Sequence, residues 1–90
     1  MNTESVDLRK VEFGKIEKVG DFTFDDTFTH IYIWLPGVSG PDCCQIRKDG
    51  PGGSRVWAWD GNQTKPTLTP SIHALGQWHG WLRDGRLVSC

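Results

Sequence analysis

No apolar run in the 90-residue chain approaches the ~20 residues that span a bilayer, which excludes a transmembrane helix. The start, Met1-Asn2-Thr3-Glu4-Ser5, has neither the basic nor the apolar region of a signal peptide, so a soluble, cytoplasmic protein is expected, with no membrane partner. Positive charge is not in surplus: 10 Lys and Arg stand against 11 Asp and Glu, for a net charge of -1 and a pI near 6.2. The electrostatic footprint of a nucleic-acid or anionic-membrane binder is missing, and direct nucleic-acid binding is not expected. Cysteine is scarce. The three present, two of them adjacent at Cys43 and Cys44, do not make the even, spaced framework of a secreted disulfide scaffold, so reduced thiols are expected. The glycines of Gly50-Pro51-Gly52-Gly53-Ser54 lack the Gly-Lys-Ser/Thr ending of a phosphate loop and read as a flexible loop.

What the chain does have is tryptophan and turn punctuation. Four of the five tryptophans fall in the last third, within Trp57-Ala58-Trp59-Asp60-Gly61-Asn62 and Trp78-His79-Gly80-Trp81. Between them lies Lys65-Pro66-Thr67-Leu68-Thr69-Pro70-Ser71-Ile72. Aromatic area and closely spaced turns predict a mainly β fold: one domain over residues 1–90, a small twisted antiparallel sheet, sandwich-like or a partial barrel, with little helix. Residues 6–19 mix apolar and charged positions around Gly14 and read as short strands. Asp25-Asp26 reads as an exposed turn. Residues 28–35 are β-branched and aromatic and stop at Pro36-Gly37, the pattern of a central strand. Residues 36–54 are rich in glycine and proline and read mostly as loop, with 43–47 the one strand fragment. Residues 56–59 and 68–75 are further strands, the second needing an edge or bulge for Pro70. Asp84-Gly85 predicts a type I′ hairpin that sets Arg83 opposite Arg86, Leu82 opposite Leu87, Trp81 opposite Val88, Gly80 opposite Ser89 and His79 opposite Cys90.

The order Trp-x-Trp-Asp-Gly-Asn, Lys-Pro-Thr-Leu-Thr-Pro-Ser-Ile, Trp-His-Gly-Trp-Leu-x-Asp-Gly over residues 57–90 resembles a family of small, functionally uncharacterised phage and prophage proteins, some carrying an unsupported ammonia monooxygenase label. The resemblance implies a phage origin, a β-rich fold and a bacterial host cytoplasm. Members often carry Cys-Pro-Gly-Cys after an early aromatic strand and a Cys-His pair; here Leu35-Pro36-Gly37-Val38 and Trp78-His79 stand in those places, without the cysteines.

Cys43, Cys44, His73, His79 and Cys90 are the soft-ligand candidates, but adjacent cysteines point to opposite faces of a strand and do not give the spacing of a zinc site. No metal and no cofactor is expected. Cys90 beside His79 is the nearest approach to a nucleophile and base, set at the chain's last residue. With no catalytic residue assigned, the expectation is a non-enzymatic phage accessory protein that binds a host protein or ribonucleoprotein complex and inhibits a defence system in an anti-CRISPR-like manner. The alternatives are a zinc-stabilised or cysteine-dependent domain and a minor virion or assembly component. The expected binding patch joins the 36–54 loop to Arg55, Trp57 and Arg83, while most tryptophans serve the core.

Overall fold

A computed structural model describes residues 5–53, 55–74 and 76–90. It contains nine strands and, among the described residues, no helix: β1 (Ser5–Asp7), β2 (Arg9–Lys10), β3 (Asp21–Phe24), β4 (His30–Ile33), β5 (Asp42–Arg47), β6 (Trp57–Trp59), β7 (Leu68–Ala74), β8 (Trp78–Arg83) and β9 (Arg86–Ser89). They form one sheet in the order β1-β9-β8-β7-β6-β5-β4-β3-β2. β1 and β2 are two halves of a single extended run interrupted at Leu8. The first half pairs antiparallel with β9 and the second parallel with β3, so one short segment ties the two edges together and nearly closes a barrel. The Leu8 N–H donates to Gly85 O and the Arg9 N–H to Gly20 O, both at 2.9 Å, which carries the backbone ladder across that seam. Closure satisfies edge groups that would otherwise template pairing with other chains.

The fold is the mainly β, partial-barrel architecture expected, with one difference: the sheet is mixed. β5 and β6 run parallel, as do β2 and β3, because the chain crosses back between the two strands of each pair. Strands read from residues 28–35 and 36–54 also shift. β4 is shorter than expected, since Phe28 sits at φ 55° in a turn, whereas β5 extends over Asp42–Arg47 and pairs with β4. The turn before β4 is organised by Asp25. Partial burial pushes this carboxyl up, but Thr29 Oγ1 at 2.7 Å and the Thr29 and His30 N–H groups at 2.8 and 3.2 Å outweigh it and hold it below the usual carboxylate range.

The core follows the period-2 alternation of the strands. Phe22, Ile31, Ile33, Leu35, Leu68, Leu82 and Leu87 are fully buried, and Phe24, Cys44, Ile46, Trp59, Ile72 and Trp78 pack with them. Phe24 and Trp59 lie 4.9 Å apart by ring centroid, so aromatic area stands in for scarce aliphatic residues. Burial pushes the Cys44 thiol up to about 12, with the neighbouring Asp42 charge acting in the same direction; this sulfur is a core atom and not a nucleophile. All three cysteines are free thiols.

The terminal hairpin has the expected register, from Arg83 opposite Arg86 through Gly80 opposite Ser89. Asp84 (φ 50°) and Gly85 (φ 73°) both adopt the positive φ that a type I′ turn needs. The turn is held from outside: Thr67 Oγ1 accepts from the Asp84 N–H at 2.8 Å, and Pro66 O accepts from the Gly85 N–H at 2.9 Å. Asp60 Oδ1 in turn accepts from the Asn62 and Thr67 N–H groups. The Trp-Asp-Gly-Asn, Lys-Pro-Thr-Leu and Asp-Gly motifs are therefore parts of one bonded scaffold that fixes the start of β7 beside the end of β8.

Candidate active site on the outer face of β7 and β8

β7 and β8 do not pair uniformly. Leu68 opposes Leu82 and Ile72 opposes Gly80, so three residues of β7 (Thr69, Pro70 and Ser71) face one residue of β8, Trp81. Pro70 has no N–H for a ladder, and of the two positions expected for it, an edge or a bulge, it takes the bulge. Such bulges re-aim side chains and recur beside active sites. With Ile72 buried in the core, Ser71 on one side and His73 on the other face outward.

Ser71 Oγ stands 3.0 Å from His79 Nε2. With His79 in the Nδ1-protonated tautomer, the hydroxyl donates to the ring nitrogen, which is the ground-state geometry of a serine nucleophile and its general base. His73, directly opposite His79 in the register, places its ring 4.7 Å from the His79 ring with 31° between the planes. Three outward side chains thus form one contiguous cluster. Among the described residues no carboxylate stands within ion-pair reach of His73 or His79.

The backbone around Ser71 is held from two directions. The Trp57 indole N–H donates to Ser71 O at 3.2 Å. The loop between β5 and β6 presses on the bulge at Gly52, where an added Cβ would strike Thr69 O and the Ala58 nitrogen, so only glycine fits. The Gly-rich segment read from sequence as a flexible loop is, at Gly52, packed against the strand that carries Ser71. On the other side of β8, the Cys90 N–H donates to His79 O at 3.0 Å and extends the β8–β9 pairing to His79.

The residues expected to bind a partner fall in different places. Arg55 is exposed, at φ 65°, in the turn before β6. Trp57 is half-buried and packs against the core, with its N–H turned to Ser71. Arg83 is exposed on the outer face, its guanidinium 4.5 Å from the Trp81 ring centroid. Trp57 and Arg83 therefore look to opposite sides of the sheet, and Arg83 is the one that shares a face with His79. Arg83 also lines a polar cleft of about 490 Å³ with Asp7, Leu8, Thr64, Lys65, Asp84, Gly85 and Arg86. Among the described residues no cluster of three or more His, Cys, Asp or Glu side chains is placed to hold a metal ion, and no helix is long and apolar enough to cross a membrane.

Sequence reasoning paired His79 with Cys90 and missed Ser71. A signal was available: Ala74 and Trp78 are separated by three residues containing Gly76, the signature of a three-residue hairpin loop. Counting back from it sets His73 opposite His79 and Ser71 one diagonal away.

The sequence model of a protein family described as BubE, bacterial ubiquitination-like system serine protease, matches residues 39–90, more than half of the chain and all of β5 to β9. No curated protein and no solved structure matches significantly. The expectation of a non-enzymatic protein is corrected by this match, because the family is described as a serine protease. The physical reason is that thiolate and metal-ligand sites leave a spacing in the chain, whereas a serine nucleophile has no spacing signature until its histidine partner is placed by the sheet. The chain belongs to the BubE family of bacterial ubiquitination-like system serine proteases.

Proposed function

We propose that the chain is a serine hydrolase in which Ser71 is the nucleophile and His79 the general base, acting on the amide that links a ubiquitin-like protein's tail to its continuation or conjugate. The 3.0 Å contact between Ser71 Oγ and His79 Nε2, inside the segment matched by a serine protease family, carries this reading. Ser71 Oγ attacks the scissile carbonyl carbon as its proton passes to His79 Nε2. The tetrahedral adduct collapses with cleavage of the C–N bond, and the leaving amine takes that proton, leaving an ester on Ser71. Water then attacks the ester, His79 accepts the water proton and returns it to Ser71 Oγ, and the free carboxylate departs.

The cluster sits on the outside of the sheet, exposed, which suits a bond presented on an extended polypeptide. Trp81 and Arg83 follow His79 on the same face of β8, each about 7 Å further along. A chain crossing β8 from the nucleophile meets this aromatic and cationic surface, so the macromolecular partner expected from sequence becomes a protein substrate. The test is cleavage of a bacterial ubiquitin-like protein fused through its C terminus to a reporter. The wild type releases the reporter; Ser71→Ala and His79→Ala reduce the rate by about 10³-fold or more while keeping the native melting transition. Equal release by wild type and Ser71→Ala would overturn the assignment.

A further inference from the structure

We propose that His73 is the positioning residue for the base, holding the His79 imidazole on Ser71 by packing against its ring, a different contact from the in-plane hydrogen bond to Nδ1 that a carboxylate makes in a Ser-His-Asp arrangement; this rests on the reading of Ser71 and His79 as nucleophile and base. A histidine base works only if one nitrogen stays aimed at the hydroxyl, and a third group normally fixes that aim. Here no carboxylate among the described residues reaches His79. What does touch it is a second imidazole, set directly across the strand pair, with ring centroids 4.7 Å apart and planes 31° from parallel.

That geometry constrains the base in a specific way. The His73 ring covers one face of His79, so rotation of His79 about its ring torsion sweeps into His73, whereas the observed rotamer leaves Nε2 3.0 Å from Ser71 Oγ. The backbones of both histidines are fixed by the β7–β8 ladder, so the pairing does not depend on loop position. Both side chains are exposed, which separates this pair from core-filling aromatics such as Phe24 and Trp59.

A purely structural cross-strand pair would affect stability and leave turnover alone. The discriminating experiment uses p-nitrophenyl acetate as acyl donor with wild type, Ser71→Ala, His73→Ala, His73→Gln and His73→Phe, each checked for a cooperative melt. His73→Ala and His73→Gln are expected to lower kcat about tenfold with KM within about twofold of wild type, because they loosen the aim of the base and not the binding of the ester. His73→Phe restores a flat ring and returns kcat to within about threefold of wild type. The proposal is overturned if His73→Ala or His73→Gln turns over like wild type, or if His73→Phe is as impaired as His73→Gln; that last comparison decides the matter even if His73→Ala fails to fold. Equal rates for wild type and Ser71→Ala would instead sink the dyad itself, so the two failures are distinguishable.

Discussion

At the scale of the residue, the reactive pair depends on side chains that do no chemistry. Trp57 shows this best. Tryptophan was expected to serve either core or surface; this one lies against the core with its single polar atom spent on the carbonyl of the nucleophile. Trp57→Phe keeps most of the packing and deletes that donor. The expected outcome is a stability loss of about 0.5 to 1.5 kcal/mol for one hydrogen bond. A fall in kcat of about tenfold is expected with it, since small displacements of a nucleophile are costly. Parallel urea titration and ester hydrolysis on the same variant check both; unchanged kcat would remove Trp57 from the support of Ser71. Cys44 is the opposite case, a chemically suggestive residue that burial renders inert, and sequence inspection could not tell it from exposed Cys43 because adjacent strand positions look alike until a face is assigned.

At the scale of the element, legibility followed local chemistry. The Asp84-Gly85 hairpin was readable to the residue because two consecutive positive φ angles demand those residue types, and the turn fixes every pair behind it. The β7 bulge was readable at Pro70, but its size was not: how many residues face Trp81 is set by the 60–67 scaffold and by Gly52, both remote in sequence. The parallel pairing of β5 with β6 was equally hidden, since nothing in residues 48–56 records which way the returning strand runs. Gly52→Ala tests the loop's seat on the bulge. Its methyl would meet backbone on two sides, so overpacking of about 1 to 3 kcal/mol is expected, seen as a lowered melting temperature together with weaker ester hydrolysis. A variant with native stability and activity would show that the loop does not brace β7.

At the scale of the whole molecule, closure of the sheet rests on a charge that composition cannot reveal. Asp21 is fully buried at the β2–β3 seam, yet Arg9 Nε and Nη2 each donate to it at 2.9 Å, and the Glu17 and Lys18 N–H groups add to the shell. The Arg9 hydrogen bonds, helped by the backbone donors and opposed by burial, lower its pKa from 3.8 to about 2. A folded-state value below the unfolded one stabilises the protein above 3.8, and that contribution disappears as pH falls from there through about 2. Urea midpoints measured across that window should therefore decline toward acid, and Arg9→Ala should be less stable at neutral pH with a flatter decline. An Arg9→Ala curve parallel to wild type would show that the seam is not held by this pair. Sequence gave no access to it, because Arg9 and Asp21 are separated by a crossover whose path is decided by the closed sheet.

The central claim is that Ser71 is the nucleophile, and covalent modification of the intact protein tests it most directly. After treatment with a fluorophosphonate, mass spectrometry should find a single adduct that peptide mapping places on Ser71, absent from Ser71→Ala and strongly slowed in His79→Ala, because phosphonylation needs the same activated hydroxyl. No adduct on the folded wild type, or an adduct on Ser39 or Ser89 with Ser71 unmodified, would contradict the account.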